Sequence, residues 1–333
     1  MGNWVCAIVR FKPLAVVFVL SLLAMPVFAG ETGVCRYAKL DELPITELSD
    51  AIAVPGTING ETALMQVATG RPFTFFYSDR LAVHYFEDGH GNKLTIGGLS
   101  ITNFGDMNMA RWLEGKDKDR ITRFPADGLP RSVVGVVGED FWSHLDLEID
   151  LKNKKLTLYK GIGCSQDSKP LETDNYVFIP FTMARPLSWP RVIMTVEVNG
   201  HPLSAVFGTE YSDTRLTLES AKSIGIDIEQ AKPIVADVNS AAGGDGLWLV
   251  QLASFSIGEE AIKPVRLRVG GRGPGLDSLG YPGTITVMHD ATWDVALGLD
   301  FLRAHRVLIS HSERRFYFTF TGGKIFDREP VAP

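Results

Sequence analysis

Apolar residues alternate with polar ones, or run as β-branched stretches, at positions 73–77, 192–198, 203–207, 247–255, 265–269 and 316–321. Successive side chains on a strand point to opposite faces, so each run predicts a strand with a buried side. Helical spacing is rare. Positions 218–225 predict one short helix, with Thr217 as N-cap and Gly225 at its end. Residues 164–190 turn polar and then carry Pro170, Pro180, Pro186 and Pro190, which reads as a connection in which 176–181 can add a strand. Residues 270–283, rich in Gly and Pro, read as a loop. The fold class is mainly β with a few short helices.

The pattern repeats. Val137-Gly138-Glu139-Asp140-Phe141-Trp142 matches Leu297-Gly298-Leu299-Asp300-Phe301-Leu302 at an offset of 160. The likeness continues through two apolar strands around a polar turn, Lys152-Asn153-Lys154 in one copy and His311-Ser312-Glu313 in the other, which predicts a hairpin closing each half. Upstream, Gly70-Arg71-Pro72 matches Gly200-His201-Pro202 at offset 130, and Leu94-Thr95-Ile96-Gly97 matches Phe255-Ser256-Ile257-Gly258 at offset 161. On that reckoning the second copy carries 31 extra residues between its first strand pair and its Ile-Gly turn.

At 333 residues the chain is long enough for two domains. Lys and Arg number 33 against 39 Asp and Glu, a balance that argues against a nucleic-acid partner. Arg10 and Lys12 precede an apolar run over 14–28 and Val27-Phe28-Ala29, so residues 1–29 read as a secretory signal peptide. The alternative is an uncleaved anchor, against which the run falls short of the ~20 apolar residues a span needs. The expected location is periplasmic or secreted, with no stable membrane span after cleavage. Cys6 leaves with the signal, and the remaining pair predicts a Cys35–Cys164 disulfide. A lipid anchor on Cys35 is the alternative, but Thr32-Gly33-Val34 lacks a small residue just before it.

Taken in order, these segments carry a resemblance. Val196-Glu197-Val198-Asn199-Gly200-His201-Pro202-Leu203 looks like a hairpin leading into a catalytic loop, 221–227 like the helix that follows, and Ser240-Ala241-Ala242-Gly243-Gly244 like a flap tip. Ala296-Leu297-Gly298-Leu299-Asp300-Phe301-Leu302 looks like the segment beneath that loop. Together they resemble the retropepsin-like aspartic proteases, and among these the exported bacterial proteins with two such domains in one chain. The resemblance implies two retropepsin-like β-barrel lobes with pseudo-twofold symmetry. It divides the chain into a signal peptide (1–29), an N-terminal segment (30–60), lobe one (61–163), a connection (164–190), lobe two (191–323) and a tail (324–333).

That family uses one aspartate from each lobe, in an Asp-Thr/Ser-Gly loop. Two carboxyls about 3 Å apart share a proton, one serving as base on a water and the other as acid. Counting eight from Gly200 reaches Gly208-Thr209-Glu210, and counting eight from Gly70 reaches Ser78-Asp79-Arg80. Neither is an Asp-Thr/Ser-Gly triplet. The expected function is therefore an exported, catalytically inactive relative that binds an extended peptide or protein partner between its lobes, under a flap at 240–244. The alternatives are an active peptidase with a displaced acid pair, such as Asp79 with Glu210, and a structural or assembly protein of the cell envelope. The molecule is expected to be a monomer or homodimer.

Other groups carry plainer readings. Asp140 and Asp300 are expected to cap the helices they precede. Asp213 and Arg215 read as a surface ion pair. The histidines show no metal-ligand spacing, so no metal and no cofactor are expected. Ser78 has no Gly-x-Ser-x-Gly elbow, and Gly271-Arg272-Gly273-Pro274-Gly275 lacks the strand–helix setting of a nucleotide loop. The aromatics at 75–77, 85, 86 and 248 are expected mostly in the core.

Overall fold

Two hairpins set the plan of the molecule. In the computed structural model, which describes residues 35–48, 50–71, 74–76, 92–104, 130, 132–171, 176–184, 191–229, 231–234, 247–270 and 293–326, strand Ile52–Ile58 turns through Asn59-Gly60 into Glu61–Val67. Arg191–Val198 turns through Asn199-Gly200 into His201–Phe207. A two-residue hairpin turn needs positive φ at both positions, and Asn-Gly supplies it. The angles agree closely: 52° and 91° at Asn59 and Gly60, 52° and 80° at Asn199 and Gly200. The second strand of each hairpin then pairs in parallel with a later one. Met65, Gln66 and Val67 face Gly135, Val136 and Val137, while Ala205, Val206 and Phe207 face Val295, Ala296 and Leu297.

These pairs fix the internal alignment. The hairpins repeat at an offset of 140, not 130, and the later strands at 160, as the sequence match indicated. The Leu94 and Phe255 segments lie against the two hairpins at offset 161, also as matched. Lobe two therefore gains 21 residues after its first hairpin, rather than 31, since the offset moves from 140 to 161. The Gly-x-Pro likeness that suggested 130 joined a loop in one lobe to a hairpin turn in the other.

The closing hairpins behave as expected: Asp146–Asp150 with Lys155–Ile162, and His305–Ser310 with Arg315–Phe320. They meet edge to edge, with Leu147, Glu148 and Ile149 facing Ile309, Leu308 and Val307. Residue i of one copy pairs with the mirrored position of the other, so a pseudo-twofold axis passes between Glu148 and Leu308. Strand Arg36–Pro44 flanks this shared sheet beside Lys155–Ile162, and Val177–Ala184 flanks it on the other side. The Cys35–Cys164 disulfide is formed, closing the open end of the Arg36–Ile162 ladder across 129 residues. The core spans both lobes and the shared sheet, with Trp142, Phe207, Phe255, Phe301, Phe316 and Phe318 fully buried.

Three short helices occur among the described residues: α1 (Glu139–Trp142), α2 (Leu218–Ser223) and α3 (Leu299–Ala304). In α2 the Thr217 hydroxyl accepts from Ser220 N–H, and Gly225 at φ 74° ends the turn, as expected. The signal segment, Cys6, Tyr77 to Phe86 and the 271–275 loop lie outside the described residues. No described helix is long and apolar enough to cross a membrane.

One buried ion pair joins the lobes. His311, in the turn of lobe two's closing hairpin, has Nε2 3.1 Å from Glu139 Oε2 of α1 and Nδ1 2.6 Å from the Leu145 carbonyl. Both partners accept, so the ring is best matched with a proton on each nitrogen. Burial alone would lower the His311 pKa, but the Glu139 charge and both hydrogen bonds outweigh it and the net shift is upward. A folded-state pKa above the unfolded value of about 6.5 gives stability that is complete below that pH. It is lost as pH rises through the folded pKa. We expect the unfolding free energy to fall with rising pH above about 6.5, and this component to vanish in His311→Gln. Denaturant titrations at a series of pH values test this, and an unchanged pH slope in the variant would refute it.

Candidate functional site

The loops leaving the two hairpins meet on the pseudo-twofold axis. Ala68-Thr69-Gly70-Arg71 follows Glu61–Val67, and Gly208-Thr209-Glu210-Tyr211 follows His201–Phe207. Each backbone turn repeats the other at offset 140. Arg71 N–H donates to the Ala68 carbonyl and Tyr211 N–H to that of Gly208, both at 3.3 Å. Ala68 and Gly208 N–H donate to Val137 and Leu297 carbonyls at 3.0 and 3.1 Å. Glu139 and Leu299 N–H, at the starts of α1 and α3, donate to the Arg71 and Tyr211 carbonyls.

The two threonines lock the loops together. Thr69 N–H donates to Thr209 Oγ1 and Thr209 N–H to Thr69 Oγ1, each at 3.3 Å, and Thr209 Oγ1 donates to the Val67 carbonyl at 2.5 Å. Both side chains are wholly buried.

A second tier supports each loop from beneath. Asp140 accepts from Thr74 N–H and Oγ1 at 3.0 and 2.7 Å, and Asp300 from Thr214 N–H and Oγ1 at 2.8 and 2.6 Å. Each threonine hydroxyl in turn accepts from Gly138 or Gly298 N–H. This corrects the capping expectation. The N-caps are Gly138 and Gly298, with no side-chain cap bond, and the aspartates sit one residue inside the helices and anchor the threonine that follows the loop of their own lobe. Burial raises both carboxyl pKa values against the pull of these bonds.

The interlock sets the register of the two loops. Thr69 and Thr209 are counterparts at offset 140, and so are the residues before them, Ala68 and Gly208. Gly208 is the residue the sequence count reached in lobe two. For lobe one the count began from Gly70 where the hairpin turn is Gly60, and so arrived at Ser78 and Asp79. Those two residues, Arg80 and the flap residues Ser240, Ala241, Ala242, Gly243 and Gly244 all lie outside the described residues.

A different set of polar groups occupies the centre. Glu210 is half-buried with its carboxyl turned inward, Oε2 accepting from Gly70 N–H at 3.1 Å and Oε1 buried without a hydrogen-bond partner. Burial raises its pKa, opposed by the charges of Arg71 and Arg191 and the Gly70 N–H. Burial likewise raises the Tyr211 phenol, helped by Glu210. Together these side chains crowd the space beside Gly208. A Cβ on Gly208 would stand 2.6 Å from Tyr211 Cε2 and 2.9 Å from Glu210 Oε2. A Cβ on Gly70 would meet Glu210 Oε1 at 2.5 Å and Gly208 Cα at 3.1 Å. Glycine at both positions is thus the condition for Glu210 to lie inside.

Arg191, at the start of its strand, is 4% exposed and stands 4.7 Å over the Trp293 ring. Asp213 is buried rather than on the surface, paired with Arg268 and, at 3.6 Å, with Arg215. No group of three metal-ligating side chains occurs among the described residues. Trp248 is half-buried against the core.

No protein-family model and no curated protein matches the chain. Among solved structures, it is similar to a retropepsin-like aspartic protease from Rickettsia conorii, at 19% identity over 44% of this chain and 90% of the other, with a TM-score of 0.30. It is similar to Basic 7S globulin from soybean, at 11% identity over 89% and 100%, TM-score 0.44. It is also similar to an aspartic proteinase from Irpex lacteus, at 14% identity over 85% and 98%, TM-score 0.43.

Two substitutions probe the centre. Thr209→Val strips the acceptor from Thr69 N–H and the donor from the Val67 carbonyl, and should cost roughly 2–4 kcal/mol of unfolding free energy. A loss within error of zero would show that the interlock contributes nothing. Gly208→Asp forces a side chain against Tyr211 and Glu210, and should destabilise by about 1–3 kcal/mol through overpacking. A gain in stability would contradict the packing described.

Proposed function

We propose that this chain is an exported, non-catalytic binding protein on an aspartic-protease-like scaffold, and that it takes an extended peptide or a segment of a protein partner between its lobes. One observation carries the reading. The threonine interlock is kept, while the two positions that would bear the catalytic carboxyls are Ala68, wholly buried, and Gly208. A dyad needs two acids close enough to share a proton. Asp140 and Asp300 are committed to their threonine anchors, and Glu210 has one oxygen engaged by Gly70 N–H.

Extended segments bind such scaffolds through backbone hydrogen bonds to strands, which need no catalytic acid. Export agrees with the signal-like N-terminus and with the Cys35–Cys164 disulfide, which forms in oxidising compartments. A second reading has one observation in its favour: Glu210 is a buried carboxyl with a raised pKa at the seam of the lobes, a setting in which a lone acid can act.

The full chain, incubated with a diverse peptide library from about pH 3 to pH 7, distinguishes the two readings. We expect no cleavage at any pH and retention of a subset of peptides on the immobilised protein. Cleavage by the unaltered chain that disappears in Glu210→Gln would establish the second reading in place of the first.

A further inference from the structure

A cleft of about 510 Å³, sharing no residue with the paired loops, opens where the turn of lobe one's closing hairpin meets the end of lobe two. Lys152 and Lys154 come from that turn, Arg303 from the last turn of α3, and Gly322 and Gly323 follow strand Arg315–Phe320. Glu47 is the acid in its lining, so the balance is two positive charges. Lys152 Nζ donates to the Thr321 carbonyl at 2.9 Å, which fixes the ammonium beside the cleft and leaves two of its three donors. Neither lysine is in an ion pair among the described residues. Gly322 and Gly323 have φ of 108° and 105°, and a Cβ on Gly322 would meet nothing within 4 Å. That rim of the cleft is bare backbone, open to an incoming group.

The pseudo-twofold relation shows that the cleft is not a by-product of the fold. At offset 160, Lys152 corresponds to Ser312, Lys154 to Arg314, Arg303 to Ser143 and Gly322 to Ile162. That corner is filled. Strand Arg36–Pro44 runs along it to pair Arg36 with Ile162, the Tyr37 hydroxyl donates to Glu313, and the Ser312 hydroxyl donates to Asp146 at 2.8 Å. On the cleft's side, the ladder of the flanking strand Val177–Ala184 reaches only Phe318 among the described residues, so Thr321, Gly322 and Gly323 stand beyond it. The same framework is built with serines where Lys152 and Arg303 stand, so it does not itself require these cations.

Like charges gathered in one cleft repel, and an anion relieves them. We infer that this cleft is a binding site for the phosphate of a small organic phosphate monoester. Such a group carries about −1.5 to −2 charges at neutral pH, which matches the lining, and three acceptor oxygens. The lysines supply point charges and Arg303 a planar fork of donors. The volume lies within the roughly 300–1,000 Å³ of small-molecule sites, which leaves room for an organic part beside the phosphate. The site is separate from the seam and does not depend on peptide binding there.

Calorimetric titration of the full chain with glycerol 3-phosphate at low ionic strength tests this. We expect saturable binding to one site, tighter than that of inorganic phosphate. Lys154 lies at φ 54°, a conformation Asn adopts readily, so Lys154→Asn removes the charge without straining the backbone. Lys154→Asn and Lys152→Gln should each weaken binding about tenfold. Lys160→Gln, the same loss of charge at an exposed position outside the cleft, should leave it unchanged. Phosphatidylcholine vesicles containing phosphatidic acid present the same headgroup on a lipid. Lys154-dependent binding in either form supports the site, and the comparison separates a free phosphate from a lipid one.

No saturable binding of either form at millimolar phosphate, or equal weakening in all three variants, would overturn the assignment. Equal affinity for inorganic phosphate and glycerol 3-phosphate would refute the organic part. Should Lys152→Gln fail to fold, Lys154→Asn and competition on the unaltered chain decide. Inorganic phosphate should displace glycerol 3-phosphate at concentrations where chloride does not, and equal displacement by the two anions would count against a phosphate site.

Discussion

The exchange of hydrogen bonds between Thr69 and Thr209 is the constraint on which the rest of the molecule depends. Each threonine gives a backbone N–H to the other's hydroxyl at the end of a buried strand, where no water is at hand to substitute. Meeting both bonds at once requires that the hairpins arrive with the same length, the same turn and the same parallel neighbour. The repeated registers at 140 and 160 are the consequence. The shared sheet supplies the same condition from the other side, since its central pair is self-complementary about Glu148 and Leu308.

With the loops held in this way, the chemistry at the centre turns on a few side-chain volumes. Ala68 and Gly208 leave room, and Glu210 and Tyr211 take it. Glu210 is a long acid whose carboxyl folds back over Gly70. The geometry of the paired loops is carried by the threonines and by the Asp140 and Asp300 anchors. Binding and catalysis are separable in such a scaffold, because strand-like recognition draws on backbone groups and catalysis on a pair of ionisable ones.

Much of the fold was legible in the amino-acid order. Strand periodicity, the closing hairpins, α2 and the disulfide are local or nearly local properties, and the structure carries each of them. The register of the first loop was not. Gly70-Arg71-Pro72 and Gly200-His201-Pro202 look alike as strings, yet the signal that mattered was Asn59-Gly60 against Asn199-Gly200, a turn-forming dipeptide whose positive φ is the physical requirement. Counting eight residues from that pair reaches Ala68 and Gly208 directly. The roles of Asp140 and Asp300 were hidden for another reason. Their partners, Thr74 and Thr214, lie 66 and 86 residues away, and an aspartate beside a helix start reads as a cap when only neighbours are considered. The burial of Glu210 and Arg191 was likewise out of reach, since charged residues next to turns are ordinarily solvated.

The pseudo-twofold axis relates Glu139 and His311 to Leu299 and Leu151, both buried. One side of the seam is therefore ionic and its counterpart is aliphatic. Two copies of the first half docked about that axis would set the carboxylate of Glu139 against Leu151, and two copies of the second would set His311 against Leu299. Either pairing strands a polar group in an apolar setting, a costly arrangement. A single ion pair, placed off the symmetry that the backbone obeys, thus distinguishes the two halves of a duplicated architecture.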